Sequence, residues 1–131
     1  MNWLRTLDLK TAGYVNIAVI IIAIIVHLLV IFQILPFTWI NGGRSASLAD
    51  AQQTSVISIA ILIAMILVNL WACALLPVKG LMPLLRVLLW VLFAYSILGM
   101  IQQLLGTAFE RFSMSILCII SAVMYFRLAI H

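Results

Sequence analysis

The sequence predicts an all-α protein, a membrane-embedded antiparallel four-helix bundle with its N and C termini in the cytoplasm. Three observations support this prediction: 67% of the 131 residues are hydrophobic, only 8% are charged, and the apolar residues fall into four long runs. A soluble domain is only about half apolar and about a quarter charged. Since so few charges could not cover the apolar surface of a water-soluble fold, lipid is the expected solvent.

The first apolar run predicts a membrane span at about residues 12–35, ending at Pro36. It is longer than the roughly 7–15 residues of a signal-peptide core, and no A-x-A cleavage site follows it. We therefore interpret it as a retained span. Because backbone polar groups in lipid must be bonded within their own segment, this run and the next three are predicted to be helices.

The remaining spans are predicted at about residues 54–76, 81–105 and 107–130, each near the roughly 20 residues that cross a bilayer. Pro77 and Gly80 are expected to end the second helix, and Pro83 suits the first turn of the third. Gly106 leaves almost no loop before the fourth helix, which predicts a tight hairpin. Residues 1–131 are thus expected to form one transmembrane domain.

Two segments carry a helix-start signal. Ser47-Leu-Ala-Asp50 and Thr107-Ala-Phe-Glu110 both match the capping box, in which a hydroxyl and a carboxylate bond the free backbone N–H groups of the first turn. The second helix is therefore predicted to begin at Leu48, before its apolar run.

The positive charges predict the orientation of the spans, because cytoplasmic loops are enriched in Lys and Arg. The two termini and the central loop carry five such residues (Arg5, Lys10, Lys79, Arg86 and Arg127), and the opposite face carries two (Arg44 and Arg111). We expect a multi-pass protein of the cytoplasmic membrane. An aromatic belt is expected at the membrane surfaces from Trp3, Trp39, Trp90, Tyr14 and Tyr125.

Several functional classes are not favoured by the composition. The formal charge is +4, but the basic residues are scattered singly among apolar runs, so no nucleic-acid partner is expected. Cys73 and Cys118 lie in apolar stretches without metal-type spacing, and we expect neither a metal site nor a cofactor.

The uncommon polar residues concentrate in the outer half of the predicted bundle. The candidate ligand-binding residues are His27, Asn41, Arg44, Ser58, Gln102, Glu110 and Arg111. Polar groups at membrane depth are costly unless they pair or line a cavity, so an ionisable one indicates a site. We therefore expect a pocket open to the outer leaflet, with His27 at its floor and the charged residues at its rim.

Structural roles compete with this interpretation. His27 is also explained as a neutral imidazole bonded to a serine or glutamine, and Glu110 as a helix cap paired with Arg44 or Arg111. The segment Asn41-Gly42-Gly43 is explained by a sharp helix-to-helix turn, which needs positive φ. Alternatively, its amides beside Arg44 form an anion nest for a lipid phosphate.

The sequence resembles an uncharacterised group of small bacterial four-helix integral membrane proteins. The resemblance is carried by His27, LPFTWINGGR (residues 35–44), Ser55 with Ser58, FERF (residues 109–112) and the terminal FRLAI (residues 126–130). Where that group has a threonine-proline pair after FERF, this chain has Ser113 and Met114. The resemblance implies a fold and no activity.

The function expected from the sequence is the binding or carriage of a lipid-like or amphiphilic molecule in the outer pocket. Two alternatives stay open: an intramembrane enzyme that uses His27 as a base on a lipidic substrate, and a structural or accessory subunit without a ligand site. The expected partners are membrane lipids, together with a second copy of the chain or a membrane protein partner.

Overall fold

The computed structural model describes residues 2–74 and 79–131, and the regular structure in these ranges is helical throughout. Four helices are long and apolar enough to cross a bilayer, which confirms that part of the prediction and indicates a multi-pass membrane protein. The helices in chain order are α1 Asn2–Thr6, α2 Leu9–Ile31, α3 Leu48–Ala72, α4 Met82–Leu104 and α5 Ser115–Ala129. A π-helical turn, Glu110–Met114, leads into α5, and two 3-10 turns, Phe37–Trp39 and Asn41–Gly43, separate α2 from α3.

The first spanning helix is shifted towards the N terminus from its predicted position. It begins at Leu9 because the Asp8 carboxylate caps its first turn, accepting a hydrogen bond from the Thr11 N–H (3.1 Å). It ends at Ile31 rather than residue 35, since Gln33 has a φ of 61°, outside the α-helical range. The apolar residues that follow Gln33 had extended the predicted span into the loop.

The second spanning helix begins where the capping box predicted, at Leu48. Ser47 Oγ accepts a hydrogen bond from the Asp50 N–H (3.2 Å), and the Asp50 carboxylate accepts one from the Ala46 N–H (3.2 Å). The helix ends at Ala72. Its predicted end at Leu76 and the predicted stop at Pro77 lie outside the described residues.

The other two spans lie close to their predicted bounds. α4 carries Pro83 in its first turn, as predicted. A short turn at Gly106 separates it from the last spanning segment, Glu110–Ala129, which lies within the predicted range of 107–130.

The four long helices are arranged with α2 and α5 in the middle. α3 packs mainly on α2, α4 packs mainly on α5, and α3 and α4 contact each other little. About 44% of the spanning segment that contains α5 is buried, against 17% for α3 and for α4. The last helix is therefore the central packing element, and the outer faces of α3 and α4 are available to lipid.

Contacts between distant segments define two ends of the molecule. At one, which we call the loop end, the segment from residue 32 to 47 meets the turn between α4 and α5. At the other, the terminus end, the last turn of α5 meets the segment around α1. The main apolar core includes Ile20, Met65 and Tyr125, and a smaller cluster of Val30, Ile40 and Ala51 lies at the loop end.

The aromatic residues largely face outwards. Trp3, Trp39, Trp90 and Tyr14 are exposed, as a membrane-surface belt requires. Tyr125 is fully buried, so its assignment to the belt was wrong.

Candidate functional site

Glu110 joins the two connections at the loop end. Its side chain is only 4% exposed. Its carboxylate oxygens both accept from the Gly42 N–H (3.1 and 2.9 Å), and one also accepts from the Thr107 N–H (2.9 Å). Thr107 Oγ1 accepts in turn from the Glu110 N–H (3.3 Å), which confirms the predicted capping box. The carboxylate thereby fastens the loop after α2 to the turn before α5.

The local backbone explains why this carboxylate is inside. In the π-helical turn, the Ser115 N–H donates to the Glu110 carbonyl, five residues earlier. Glu110 and Met114 are buried, while residues 111–113 face outwards. Gly106 supplies the space for the carboxylate, since a Cβ atom at that position would overlap Glu110 Oε2.

The segment Asn41-Gly42-Gly43 is a tight turn, and the Gly42 N–H group, which faces inwards, is already hydrogen-bonded. Asn41, Gly42 and Gly43 have φ angles of 55°, 65° and 69°, which confirms the predicted reversal. The Gly43 and Arg44 N–H groups donate to loop carbonyls, and the Gly42 N–H donates to Glu110. The N–H group that was predicted to bind a lipid phosphate is therefore bound by the protein's own Glu110 carboxylate.

Arg44 lies beside the Glu110–Gly42 contact, whereas Arg111 bonds the end of α4. Arg44 is exposed, and its guanidinium lies beside Gly42, with Nε 2.8 Å from where a Cβ of that glycine would stand. Arg111 is also exposed, and its Nε donates to the Leu104 carbonyl at the end of α4 (3.2 Å). Within the described ranges, Glu110 is held by backbone N–H groups rather than by either cation.

His27 meets a serine of the neighbouring helix. His27 Nδ1 and Ser55 Oγ are 3.1 Å apart, and in the Nε2–H tautomer the hydroxyl donates to the imidazole. A serine bonded to a histidine is the start of a nucleophile–base arrangement. However, Ser55 is fully buried, so this conformation gives a substrate no access to its hydroxyl.

An apolar layer separates the His27–Ser55 pair from the loop. Val30 lies one helical turn beyond His27 on α2, and Ala51 lies one turn before Ser55 on α3. Both are buried against Ile40 of the loop, which is 3% exposed. The loop end is thus layered, with Glu110 and its amides outside, Ile40 in the middle and the polar pair beneath.

The other candidate residues are more dispersed. The Asn41 side chain donates to Ser45 Oγ (3.2 Å), within the loop. Ser58 is half-buried, one turn deeper on α3 than Ser55, and Gln102 is exposed on α4. The structure therefore gathers Asn41, Arg44 and Glu110 around Gly42, places His27 beside Ser55, and leaves Gln102 and Arg111 at the outer surface.

Sequence reasoning missed Asn16, which joins a buried polar cluster nearer the terminus end. The Asn16 amide donates to Asn69 Oδ1 (3.0 Å), and Ser121 Oγ donates to Asn16 Oδ1 (2.7 Å). The Asn69 amide donates to Tyr125 Oη (2.9 Å) and to the Met65 carbonyl (2.8 Å). These bonds join α2, α3 and α5, and the available signal was a lone asparagine within the apolar run of α2.

Comparison of the chain with protein-family models, curated proteins and solved structures found no match. Among residues 2–74 and 79–131, no three His, Cys, Asp or Glu side chains are grouped as metal ligands. The fold and the contacts define a multi-pass helical membrane protein with a polar interior at its loop end.

Proposed function

We propose that this protein of the cytoplasmic membrane binds a lipid-like amphiphile beneath the loop at its outer end, with both termini in the cytoplasm. The observation that carries the proposal is the meeting of polar groups from separate elements inside the loop end. Glu110 bonds Gly42, and His27 bonds Ser55, so these costly groups do not face hydrocarbon separately. The excess of Lys and Arg at the terminus end supports this orientation.

In this proposal the loop is a lid, and the structure is its closed form. Ile40 fills the space between Val30 and Ala51, and Phe37 of the same loop packs on this cluster. Lifting the loop withdraws both side chains and opens an apolar space above His27. The tail of an amphiphile occupies that space, and its anionic head meets the Gly42 N–H and the neighbouring Arg44 in place of Glu110.

Photo-crosslinking with a diazirine-bearing fatty acid in nanodiscs tests the lid. Ile40→Ala removes most of the side chain that fills the space, so we expect more label on α2 and α3 around Val30 and Ala51. Ile34→Ala is the matched control, because Ile34 is in the same loop but 71% exposed. Labelling confined to the outer faces of α3 and α4, and identical in both variants, would refute the proposal.

The enzyme alternative is favoured by one observation, the 3.1 Å contact between His27 and Ser55. It requires the imidazole to take the serine proton as the hydroxyl attacks the substrate. A fluorophosphonate probe should then label Ser55 in the wild type and fail to label the His27→Ala variant. If the serine stays unlabelled in both the wild type and the Ile40→Ala variant, in which the covering side chain is removed, the pair serves packing. A structural subunit without a ligand site would show neither labelling nor an effect of Ile40→Ala on crosslinking.

A further inference from the structure

A cleft opens at the terminus end, far along the helices from the lid. It has a volume of about 510 Å³. It is lined by Leu4, Arg5, Phe126, Arg127, Ile130 and His131. Two guanidinium groups and three apolar side chains therefore share one concave surface, a composition that suits a molecule with an anionic head and an apolar body.

Arg127 is the unusual member of this lining. Its side chain is only 8% exposed, although arginine is seldom buried without a partner. Its Nε donates to the Leu7 carbonyl (2.9 Å) and its Nη2 to the Arg5 carbonyl (3.2 Å). Both acceptors are uncharged, and a guanidinium has five N–H donors, so an acidic ligand can use the remaining donors and neutralise the charge.

The surroundings of the cleft are also basic. The basic residues of the terminus end are Arg5, Lys10, Lys79, Arg86 and Arg127. Of the three acidic residues in the sequence, Asp8 alone belongs to this end. The Asp8 carboxylate is engaged at the start of α2, where it bonds Thr11. The cleft therefore lies in a positive field that attracts the anionic lipids of a membrane surface.

A second groove lies near the cleft, because Trp90 in its lining contacts Phe126 in the lining of the cleft. It has a volume of about 390 Å³ and is lined by Met82, Pro83, Arg86, Val87 and Trp90. The Trp90 and Phe126 rings meet edge to face with centroids 5.8 Å apart, and Arg86 donates to the main-chain oxygen of His131 (3.2 Å). Tryptophan and arginine side by side are typical of the headgroup level of a bilayer.

We infer that the cleft between α1 and α5 binds an anionic phospholipid. The phosphodiester is held by the Arg5 and Arg127 guanidinium groups, and an acyl chain lies along Phe126 and Ile130. This site is separate from the lid and goes beyond the proposed function, because it needs no opening of the loop. It also gives the buried Arg127 guanidinium a role, which the proposed amphiphile site at the loop end does not.

Native mass spectrometry tests this site on purified protein given equal amounts of phosphatidylglycerol and phosphatidylcholine. Arg5→Gln is the decisive variant, because Arg127 bonds the Arg5 backbone carbonyl and the substitution leaves that bond in place. Lys10→Gln is the matched control, since it removes one exposed charge at the same end outside the cleft lining. We expect Arg5→Gln to weaken phosphatidylglycerol retention about tenfold, the effect of losing one hydrogen bond to a charged group, and Lys10→Gln to weaken it clearly less.

The competing outcomes are distinct. Equal retention of the two lipids would show that the bound lipid is not selected by its charge, and equal losses in the Arg5→Gln and Lys10→Gln variants would show a diffuse surface charge. Either result would overturn the site. Displacement of the lipid by glycerol phosphate alone would show a site for a soluble phosphate, and would overturn the assignment to a lipid. Retention that depends on Arg5 and resists glycerol phosphate supports the inference, whatever the outcome of the crosslinking at the lid.

Discussion

Replacing Tyr125 by phenylalanine should lower the free energy of unfolding by about 1 kcal/mol, although it removes a single oxygen atom. The hydroxyl accepts a hydrogen bond from the Asn69 amide across the boundary between α5 and α3. Interhelical hydrogen bonds in membranes contribute on average about 0.6 kcal/mol and at most about 1.7. Asn69 keeps its bond to the Met65 carbonyl, so the loss should stay within that range.

Replacing Asn69 by leucine should cost more, because it breaks two interhelical bonds at once. The Asn16 amide loses its acceptor, and Tyr125 loses its donor. Two such bonds account for about 1–3 kcal/mol. An unpaired buried polar group adds about 1–3 kcal/mol. We therefore expect a loss of about 2–6 kcal/mol, clearly larger than that of Tyr125→Phe.

Reversible unfolding in mixed micelles of dodecyl maltoside and increasing SDS measures both losses. Tyr95→Phe is the matched control, because Tyr95 lies on α4 with 51% of its surface exposed. That variant should unfold at the wild-type SDS fraction. If Tyr125→Phe and Tyr95→Phe unfold together, the cluster does not hold the helices in register, and the reasoning fails.

Three further substitutions test the close contacts and caps. Gly13→Ala should destabilise by about 1–3 kcal/mol, because the new Cβ overlaps Cys73 Sγ, and Cys73→Ala in the same chain should restore much of the loss in thermal unfolding. Gly106→Ala should lower the melting temperature, because the new Cβ displaces the buried Glu110 carboxylate. Gly99→Ala is the control and should change the melting temperature little, since its Cβ would make an ordinary contact of 3.4 Å. Equal shifts in the two variants would contradict this packing. Ser47→Ala should cost about 1 kcal/mol and increase amide hydrogen exchange in the first turn of α3, and unchanged exchange there would mean that the hydroxyl does not cap the helix.

The four long helices could be predicted because a chain segment in lipid has to satisfy its backbone hydrogen bonds internally. A run of about 20 apolar residues must bond its own backbone, and this constraint acts whatever the tertiary contacts are. The start of α3 was also predictable, since Ser47 and Asp50 cap it through bonds within one turn. The ends were harder, because the apolar Ile34 and Leu35 continue the hydropathy signal after Gln33 has already left the helix.

The site could be predicted only where its contacts are local. The capping role of Glu110 followed from its spacing to Thr107, but its bond to Gly42 spans 68 positions and depends on how the helices pack. A serine or glutamine partner for His27 was anticipated, but its identity as Ser55 depends on how α2 packs on α3. Asn16 was overlooked because one amide in an apolar run carries no pattern, and Tyr125 was misplaced because tyrosine suits both a membrane surface and a buried hydrogen bond.

The asparagine cluster has a consequence for the biogenesis of the protein. When α2 and α3 enter the membrane, Asn16 and Asn69 can pair with each other, but the partners Ser121 and Tyr125 are not yet synthesised. The early hairpin therefore holds two incompletely bonded amides in lipid until the last helix is inserted. Insertion of α5 then completes the bonding of α2 and α3, so the native hydrogen bonds of these two helices depend on synthesis of the chain through Tyr125.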